Sequence, residues 1–295
     1  MDVLTHAFSV ILLGGNLDIF RVCFGVVGTV LPDMDILMHR FSGGNPRLYI
    51  FSHGGITHSI AGAILIAIVA FSTICLLQLS GILPLPAEPT FRIFGLGMIV
   101  GGALLHITLD YLACPGIPLF FPLSDKKYSL GIFPGPSLFL TITSVVFLIL
   151  LILGFAGAAD IYLWGIVFLG IIIFSLIKKK GLVAGRFRGK ETIPTFHPLH
   201  WIIVSEDDHE CTVSRYSVTG GVYWESKYKK RDGVGEEEIE ALADDPEMKR
   251  LRYSSYLVVF ERSEGKIRAY DPLRISGLMF YPPDYREYVA ELPES

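Results

Sequence analysis

The sequence has 295 residues, of which 51% are hydrophobic and 18% are charged. Soluble domains carry about 25% charged residues, so this composition excludes an ordinary soluble protein. The formal net charge of −4 and the lack of a clustered basic face argue against nucleic acid as a partner.

Charged residues are concentrated in the C-terminal part of the chain. Residues 1–177 contain 8 acidic and 6 basic side chains, whereas the remaining 118 residues contain 21 and 19. We therefore predict a mainly α-helical protein, a polytopic helical membrane bundle followed by a cytosolic α+β domain. The predicted parts are a membrane-embedded helical domain at 1–180, a basic linker at 181–194 and a small soluble domain at 195–295.

The chain opens with two short apolar runs. Residues 3–13 and 19–31 contain 11 and 13 residues, and Gly14-Gly15-Asn16 separates them. A membrane-spanning helix needs about 20 residues, so neither run spans a bilayer alone. We predict a helical hairpin packed against other helices. A signal peptide is not expected, because the run has no basic start and no small-residue cleavage site follows it.

Four longer apolar stretches follow, at 56–79, 93–112, 138–157 and 161–177. Each meets or approaches the length of a membrane-spanning helix. Gly97 and Gly101 in the second stretch have the spacing of a close-packed helix face. Lys178, Lys179 and Lys180 follow the last stretch directly, and the positive-inside rule then places the C-terminal half in the cytoplasm. We expect a multi-pass protein of the cell (inner) membrane.

The C-terminal region has the pattern of a small α+β domain. Alternating β-rich runs lie at 201–204, 211–218, 256–261 and 266–270, and a charged helical stretch covers 236–252. Ser263-Glu264-Gly265 is a hairpin turn signal between the last two runs. No motif indicates which protein partner, if any, this domain binds.

Most ionisable side chains of the apolar part are of metal-ligating types. Such groups at membrane depth mark functional sites by default. His106 and Asp110 are four residues apart, so a helix places them on one face, one turn apart. Asp33 and Asp35 follow Pro32, which ends the second apolar run. A buried His–Asp hydrogen bond and a solvated helix terminus are the structural alternatives for these two pairs.

Two histidines flank the start of the 56–79 stretch. Gly54-Gly55 allows a turn between His53 and His58, and Thr57 is free to orient a ligand. His6 lies one turn into the chain, at the cytoplasmic start of the hairpin. Arg40 is a candidate contact for an anionic substrate, or an ordinary positive-inside residue.

The predicted topology, which uses only Lys and Arg, brings the candidate ligands to one depth. Seven side chains fall at the cytoplasmic ends of their helices, and they are His6, Asp33, Asp35, His53, His58, His106 and Asp110. We predict that they bind two or three divalent ions, with zinc favoured by the His/Asp mixture without thiolates. Adjacent ions would activate water and stabilise the leaving oxygen of a phosphoester. The predicted catalytic residues are Asp33, Asp35 and His58, and the predicted substrate contacts are Arg40 and Thr57.

The motifs resemble the YdjM-like family of membrane-bound metal-dependent hydrolases. The matching elements are Met1-Asp2-x-x-Thr5-His6, Leu31-Pro32-Asp33-x-Asp35, Gly55-x-Thr57-His58-Ser59 and His106-x-x-x-Asp110, within roughly residues 1–180. Family members usually have His-Arg-Gly where this chain has His53-Gly54-Gly55, so that arginine is missing. The resemblance implies distant kinship with zinc-dependent phospholipase C and the P1-type nucleases, and hence a phosphoesterase with the four motifs as metal ligands.

Two functions remain open from the sequence. The first is an integral-membrane, metal-dependent phosphoesterase that acts on a lipid-linked substrate, because the site would open at the level of the headgroups. The alternative is a non-catalytic membrane scaffold or regulator that a metal stabilises. A metal-ion transporter is disfavoured, because the ligands gather at one face and not at the midplane of the bilayer.

Overall fold

The computed structural model describes residues 1–15, 17–38, 42–86, 88–279 and 285–291. The chain divides into two units, one with Met1–His39 and Phe51–Lys179, the other with Arg40–Ile50 and Lys180–Ser295. The first unit is helical, and the second contains the β-sheets. This agrees with the predicted order of a helical part followed by an α+β part.

The structure is about half helical, with α-helices in both units and short 3₁₀ helices in between. Nine α-helices are named here in chain order: α1 (Val3–Leu13), α2 (Ile19–Val30), α3 (Ile60–Leu79), α4 (Pro89–Asp110), α5 (Leu138–Ile152), α6 (Ile161–Gly185), α7 (Glu236–Ala241), α8 (Pro246–Ser254) and α9 (Pro272–Ile275). Short 3₁₀ helices lie at Leu31–Leu37, Pro46–Phe51, Ile56–His58 and Ala158–Asp160. The bounds of α1 and α2 confirm the predicted N-terminal hairpin.

Side-chain caps define where several helices begin. Asp2, Asp18, Ser59 and Ser137 stand immediately before α1, α2, α3 and α5. Each side chain accepts a hydrogen bond from the backbone N–H three residues later. These residue types satisfy the free N–H groups of a first helical turn. Asp2 therefore fixes the start of α1 shortly before His6, and Ser59 fixes the start of α3 directly after His58.

Among the described residues, three helices are long and apolar enough to cross a membrane. They are Ile60–Leu79, Pro89–Asp110 and Ala158–Leu182. The stretch predicted at 138–157 differs, because its helix has only 15 residues and ends at Ile152. Gly154 has a φ of 73°, a left-handed conformation that stops the helix short of the predicted span.

Helices α2 and α4 pack with their backbones in contact. A Cβ placed on Gly28 would lie 2.0 Å from the backbone oxygen of Ile99. A Cβ placed on Gly102 would lie 2.1 Å from the backbone oxygen of Gly25. Only glycine permits this approach, which brings the C-terminal ends of both helices together.

The prediction that Gly97 and Gly101 form a close-packed helix face is wrong. A Cβ on either glycine would meet nothing within 4 Å, whereas Gly95 and Gly102 face neighbouring side chains and backbone. The i, i+4 spacing is present, but these two glycines point away from α2. The spacing alone did not specify which face of the helix is packed.

The second unit contains two four-stranded sheets. Strands β1 (Glu191–Pro194), β2 (His200–Glu206), β3 (Glu210–Ser217) and β4 (Gly221–Lys229) form an antiparallel sheet in that order. Strands β5 (Arg231–Asp232), β6 (Val259–Ser263), β7 (Lys266–Tyr270) and β8 (Glu287–Ala290) form the other sheet, in which β5 pairs parallel to β6.

The sequence pattern predicted part of these sheets. The four predicted runs correspond to β2, β3, β6 and β7, and the predicted turn joins β6 to β7, with positive φ at Glu264 and Gly265. The charged stretch at 236–252 forms two helices, α7 and α8, because Asp245 and Pro246 begin a new one. Helix α6 continues to Gly185 and β1 begins at Glu191, so five residues connect them.

Candidate metal centre

Helix ends bring the candidate ligands of the first unit together. His6 lies in the first turns of α1, and Asp33 lies in the 3₁₀ helix that follows α2. His58 ends the 3₁₀ helix before α3, and His106 and Asp110 lie in the last turns of α4. The starts of α1 and α3 thus meet the ends of α2 and α4.

Four of these side chains form what we call the four-residue group, made of Asp33, His58, His106 and Asp110. One nitrogen or oxygen of each lies within 4.8 Å of those of the others. Nε2 of His106 is 3.1 Å from Nε2 of His58, and each nitrogen is 3.3 Å from Oδ2 of Asp110. Oδ1 of Asp33 lies 3.5 Å from the His58 nitrogen. Both histidines are at most 1% exposed.

The hydrogen bonds of the two imidazoles indicate which nitrogens face the group as acceptors. Nδ1 of His106 lies 2.7 Å from the backbone oxygen of Thr29, so Nδ1 carries a proton. Nδ1 of His58 lies 3.1 Å from Oδ2 of Asp35 and carries a proton for the same reason. With both imidazoles neutral, the two Nε2 atoms present lone pairs to each other and to the two carboxylates of the group, whereas with a second proton on His58 its Nε2 donates to them. A bound cation removes this repulsion, and imidazole nitrogens with carboxylate oxygens form the usual donor set for zinc.

His6 lies against the four-residue group. Its ring stacks on that of His106 with 4.0 Å between centroids, and its Nε2 is 3.3 Å from Oδ1 of Asp110. The side chain is fully buried, and neither ring nitrogen has a hydrogen-bond partner among the described residues. Because buried polar atoms are nearly always paired, these nitrogens fit a role as metal ligands.

Asp35, His53 and His58 form a second cluster, which we call the three-residue group. Oδ1 of Asp35 lies 2.6 Å from Nδ1 of His53. Oδ2 accepts hydrogen bonds from the hydroxyl of Thr57 at 2.6 Å and from the backbone N–H of Gly54 at 3.1 Å. Both oxygens of Asp35 therefore already have hydrogen-bond partners. This arrangement suits a carboxylate that orients histidines.

Both aspartates that follow α2 have lowered pKa values. Burial raises the pKa of Asp35, but its contacts with His53 and His58 outweigh burial and hold the pKa below its usual range. Burial also opposes ionisation of Asp33, and the neighbouring His58 and His106 keep that pKa lowered. Both carboxylates are therefore ionised at neutral pH and offer anionic oxygens to a cation.

The structure brings all seven predicted ligands into these two groups and their immediate contact. Thr57 lies with them, 7% exposed, and its hydroxyl donates to Asp35. Contact of Thr57 with a substrate stays a prediction. Arg40 lies outside the described residues, so its predicted role also stays a prediction.

Two further groups at the site were not predicted. The backbone oxygen of Thr29 accepts from His106, and a backbone carbonyl leaves no signal in residue type. The α-amino group of Met1 contacts Oδ1 of Asp110. The opening motif Met1-Asp2-x-x-Thr5-His6 was the available signal, since it places Met1 five residues before His6 and directly before the cap of α1.

The fold and the site define a class of protein, an apolar helical unit with a buried His/Asp cluster where its helix ends meet. Residues 1–182 match the family model described as YdjM inner membrane protein. The chain therefore belongs to the YdjM inner membrane protein family, which confirms the resemblance, and the matched range contains every residue of the cluster. Comparisons with curated proteins and with solved structures returned no match. The family and the three long apolar helices identify a membrane protein.

Proposed function

We propose that this protein is a multi-pass membrane hydrolase that cleaves a phosphoester with a divalent metal ion held by the four-residue group. One observation carries the proposal: two imidazole Nε2 atoms and two carboxylates converge in a buried place. Two carboxylates are costly to bury without positive charge beyond the α-amino group of Met1, which contacts Asp110. Hydrolysis follows as the activity that the resemblance implies.

The residues in and around the four-residue group have distinct roles in the proposed site. A divalent ion there would supply an activated water and would stabilise charge on the phosphoryl oxygens. Asp33 and Asp110 provide anionic ligand oxygens, and their side chains are 14% and 11% exposed, so substrate would approach from their side. Thr29 and Asp35 hold the imidazoles of His106 and His58 in the tautomers that point Nε2 at the ion.

The proposed setting is the cytoplasmic face of the inner membrane. Lys178, Lys179 and Lys180 at the end of the last long apolar helix favour a cytoplasmic C-terminal unit. The ends of α2 and α4 and the starts of α1 and α3 share the site, so it lies at one end of the long helices. A lipid-linked phosphoester fits this position, with zinc as the ion and Arg40 as a candidate contact for its phosphate.

The proposal is tested on full-length protein in detergent. Bound metal is measured by inductively coupled plasma mass spectrometry, and release of phosphate or headgroup is measured on a phosphoester panel. We expect at least one equivalent of zinc per chain, with turnover that chelation abolishes and zinc restores. Folded protein without stoichiometric metal contradicts the metal centre. Metal without turnover on the panel contradicts the hydrolase.

A metal-stabilised scaffold is the second candidate, favoured by the nearly complete burial of His58 and His106. It predicts bound metal, loss of thermal stability on chelation, and no turnover.

A second proton on His58 would also relieve the repulsion in the four-residue group, and that arrangement predicts folded protein with no metal. The same two measurements separate these outcomes from the hydrolase.

The number of ions distinguishes the roles of the two groups. We propose one ion in the four-residue group, with Asp35 and His53 positioning His58. The two or three ions predicted from the sequence require Asp35 and His53 to act as ligands as well. Metal content near one equivalent supports the positioning role of Asp35, and two or three equivalents contradict it.

Thr57→Val is expected to weaken metal binding about tenfold, as loss of an outer hydrogen bond does at metal sites. The hydroxyl of Thr57 donates to Asp35, which in turn orients His58. Affinity is measured by competition with a chromophoric chelator. Thr73→Val is the matched control, because the exposed Thr73 hydroxyl donates to the backbone oxygen of Val69 in its own helix. Equal affinities of the two variants would show that Thr57 does not support the site.

A further inference from the structure

One end of the first sheet carries an exposed apolar surface. Among the described side chains of the second unit, seven large apolar ones are exposed, and five of them lie at this end. We call these five the apolar tip, and they are Phe196, Leu199, Val218, Val222 and Tyr223, with exposures from 36% to 54%. A cluster of this kind on a unit rich in charge indicates an interaction surface.

The strand register brings the five residues to the same end. His200 at the start of β2 pairs with Ser217 at the end of β3, and Ser217 pairs with Gly221 at the start of β4. The β1–β2 and β3–β4 connections therefore lie side by side, and the backbone N–H of Val218 bonds to the oxygen of Leu199. The register shifts beside Tyr216, which places Tyr223 as an extra residue in β4.

The composition around the apolar tip is that of a membrane-interface surface. Residues 192–205 and 211–224, which contain the tip, have no Asp or Glu. The ring of His200 lies 5.5 Å from that of Tyr223, so the tip combines aromatic rings with polar edges. Such side chains occupy the boundary between headgroups and hydrocarbon.

The apolar tip lies beside the end of the last long apolar helix. Leu182 ends that helix segment and belongs to a buried cluster with Phe187, Trp201 and Tyr216. Arg186 donates a hydrogen bond to the hydroxyl of Tyr216 at 3.0 Å. Trp201 follows His200, and Tyr216 pairs with Val222, so the residues that hold the helix end are neighbours of the tip.

Basic side chains accompany this end of the helix. Arg186, Arg188 and Lys190 are exposed between α6 and β1. Cationic side chains next to a membrane-spanning helix are attracted to anionic headgroups. Their position in the chain, within eight residues of Leu182 at the end of the apolar helix, favours a lipid surface over a second protein as the occupant.

From these contacts we propose that the apolar tip inserts into the interfacial layer of the bilayer that holds α6. The lipid surface is its occupant, and the tip and the basic residues act together as an anchor for the first sheet. The inference rests on the membrane position of α6 and is independent of hydrolysis. It assigns the C-terminal unit a lipid-contacting surface remote in sequence from the metal centre.

The test uses full-length protein reconstituted in vesicles with anionic lipid. Val222→Cys is labelled with a polarity-sensitive fluorophore in a background of Cys23→Ser and Cys75→Ala, since Cys114 and Cys211 are buried. We expect lipids with a nitroxide near the headgroup end of the acyl chain to quench the label by at least about twofold. Adding Phe196→Ser and Tyr223→Ser is expected to reduce that quenching.

The matched control is a label at Asp208→Cys, an exposed position in the β2–β3 connection at the opposite end of the same sheet. Equal quenching at both positions, or none at Val222→Cys, overturns the proposal. Blue-shifted emission without quenching means that protein covers the tip, which also overturns it. Failure of the protein to float with the vesicles overturns the membrane position itself, and turnover in detergent tests hydrolysis separately.

Discussion

Asp110→Asn is expected to lower the affinity for divalent metal by at least about 100-fold, the upper range for changes around metal ligands. Oδ2 of Asp110 lies 3.3 Å from Nε2 of both His58 and His106, and its Oδ1 lies 3.3 Å from Nε2 of His6. Asparagine keeps the shape but removes the negative charge and turns an N–H₂ group toward acceptor nitrogens. Metal content and chelator competition measure the loss, and phosphoester turnover is expected to fall with it.

Asp18→Asn provides the control for Asp110→Asn in the same unit. Asp18 caps α2 by accepting from the backbone N–H of Arg21, and asparagine caps helices equally well. This variant is therefore expected to keep the metal content of the unmodified protein. If Asp110→Asn retained full metal content, the four-residue group would not be the metal centre, whatever the turnover.

The candidate site could be predicted from the sequence because its signals are residue types in unusual places. Histidines and aspartates within apolar stretches have few explanations, and the distribution of Lys and Arg predicts that they lie at one depth. The helix spacing of His106 and Asp110 also holds in α4. The sequence could not distinguish the role of Asp33 from that of Asp35. The two roles differ because Asp35 accepts hydrogen bonds from the backbone N–H of Gly54 and the hydroxyl of Thr57.

The parts of the fold that escaped prediction depend on tertiary contacts. Strand β4 mixes charged, polar and aromatic residues and has little burial, so hydrophobic periodicity does not reveal it. The end of α5 depends on the conformation of Gly154, and glycine is common inside apolar helices. The packed face of α4 depends on which glycines meet α2, and the motif spacing of Gly97 and Gly101 did not indicate it.

Gly28→Ala is expected to lower the melting temperature by about 5–10 °C, because overpacking costs about 1–3 kcal/mol and each kcal/mol shifts a chain of this size by a few degrees. Real Cβ atoms essentially never approach within 3.0 Å, and this one would lie 2.0 Å from the backbone oxygen of Ile99. Helix α2 must therefore move about 1 Å from α4. Thr29 moves with α2, so its 2.7 Å hydrogen bond to His106 lengthens and metal affinity falls as well.

Gly97→Ala separates this packing effect from the general effect of alanine in a helix. Gly97 lies in α4 with nothing within 4 Å of an added Cβ, so the variant is expected to keep its metal content and melt no lower than the unmodified protein. Both variants are compared by thermal unfolding in detergent with and without chelator. A lower melting temperature with unchanged metal affinity would mean that moving the end of α2, which carries Thr29 and leads to Asp33, does not disturb the ligands. Unchanged melting of Gly28→Ala would contradict the backbone contact between α2 and α4.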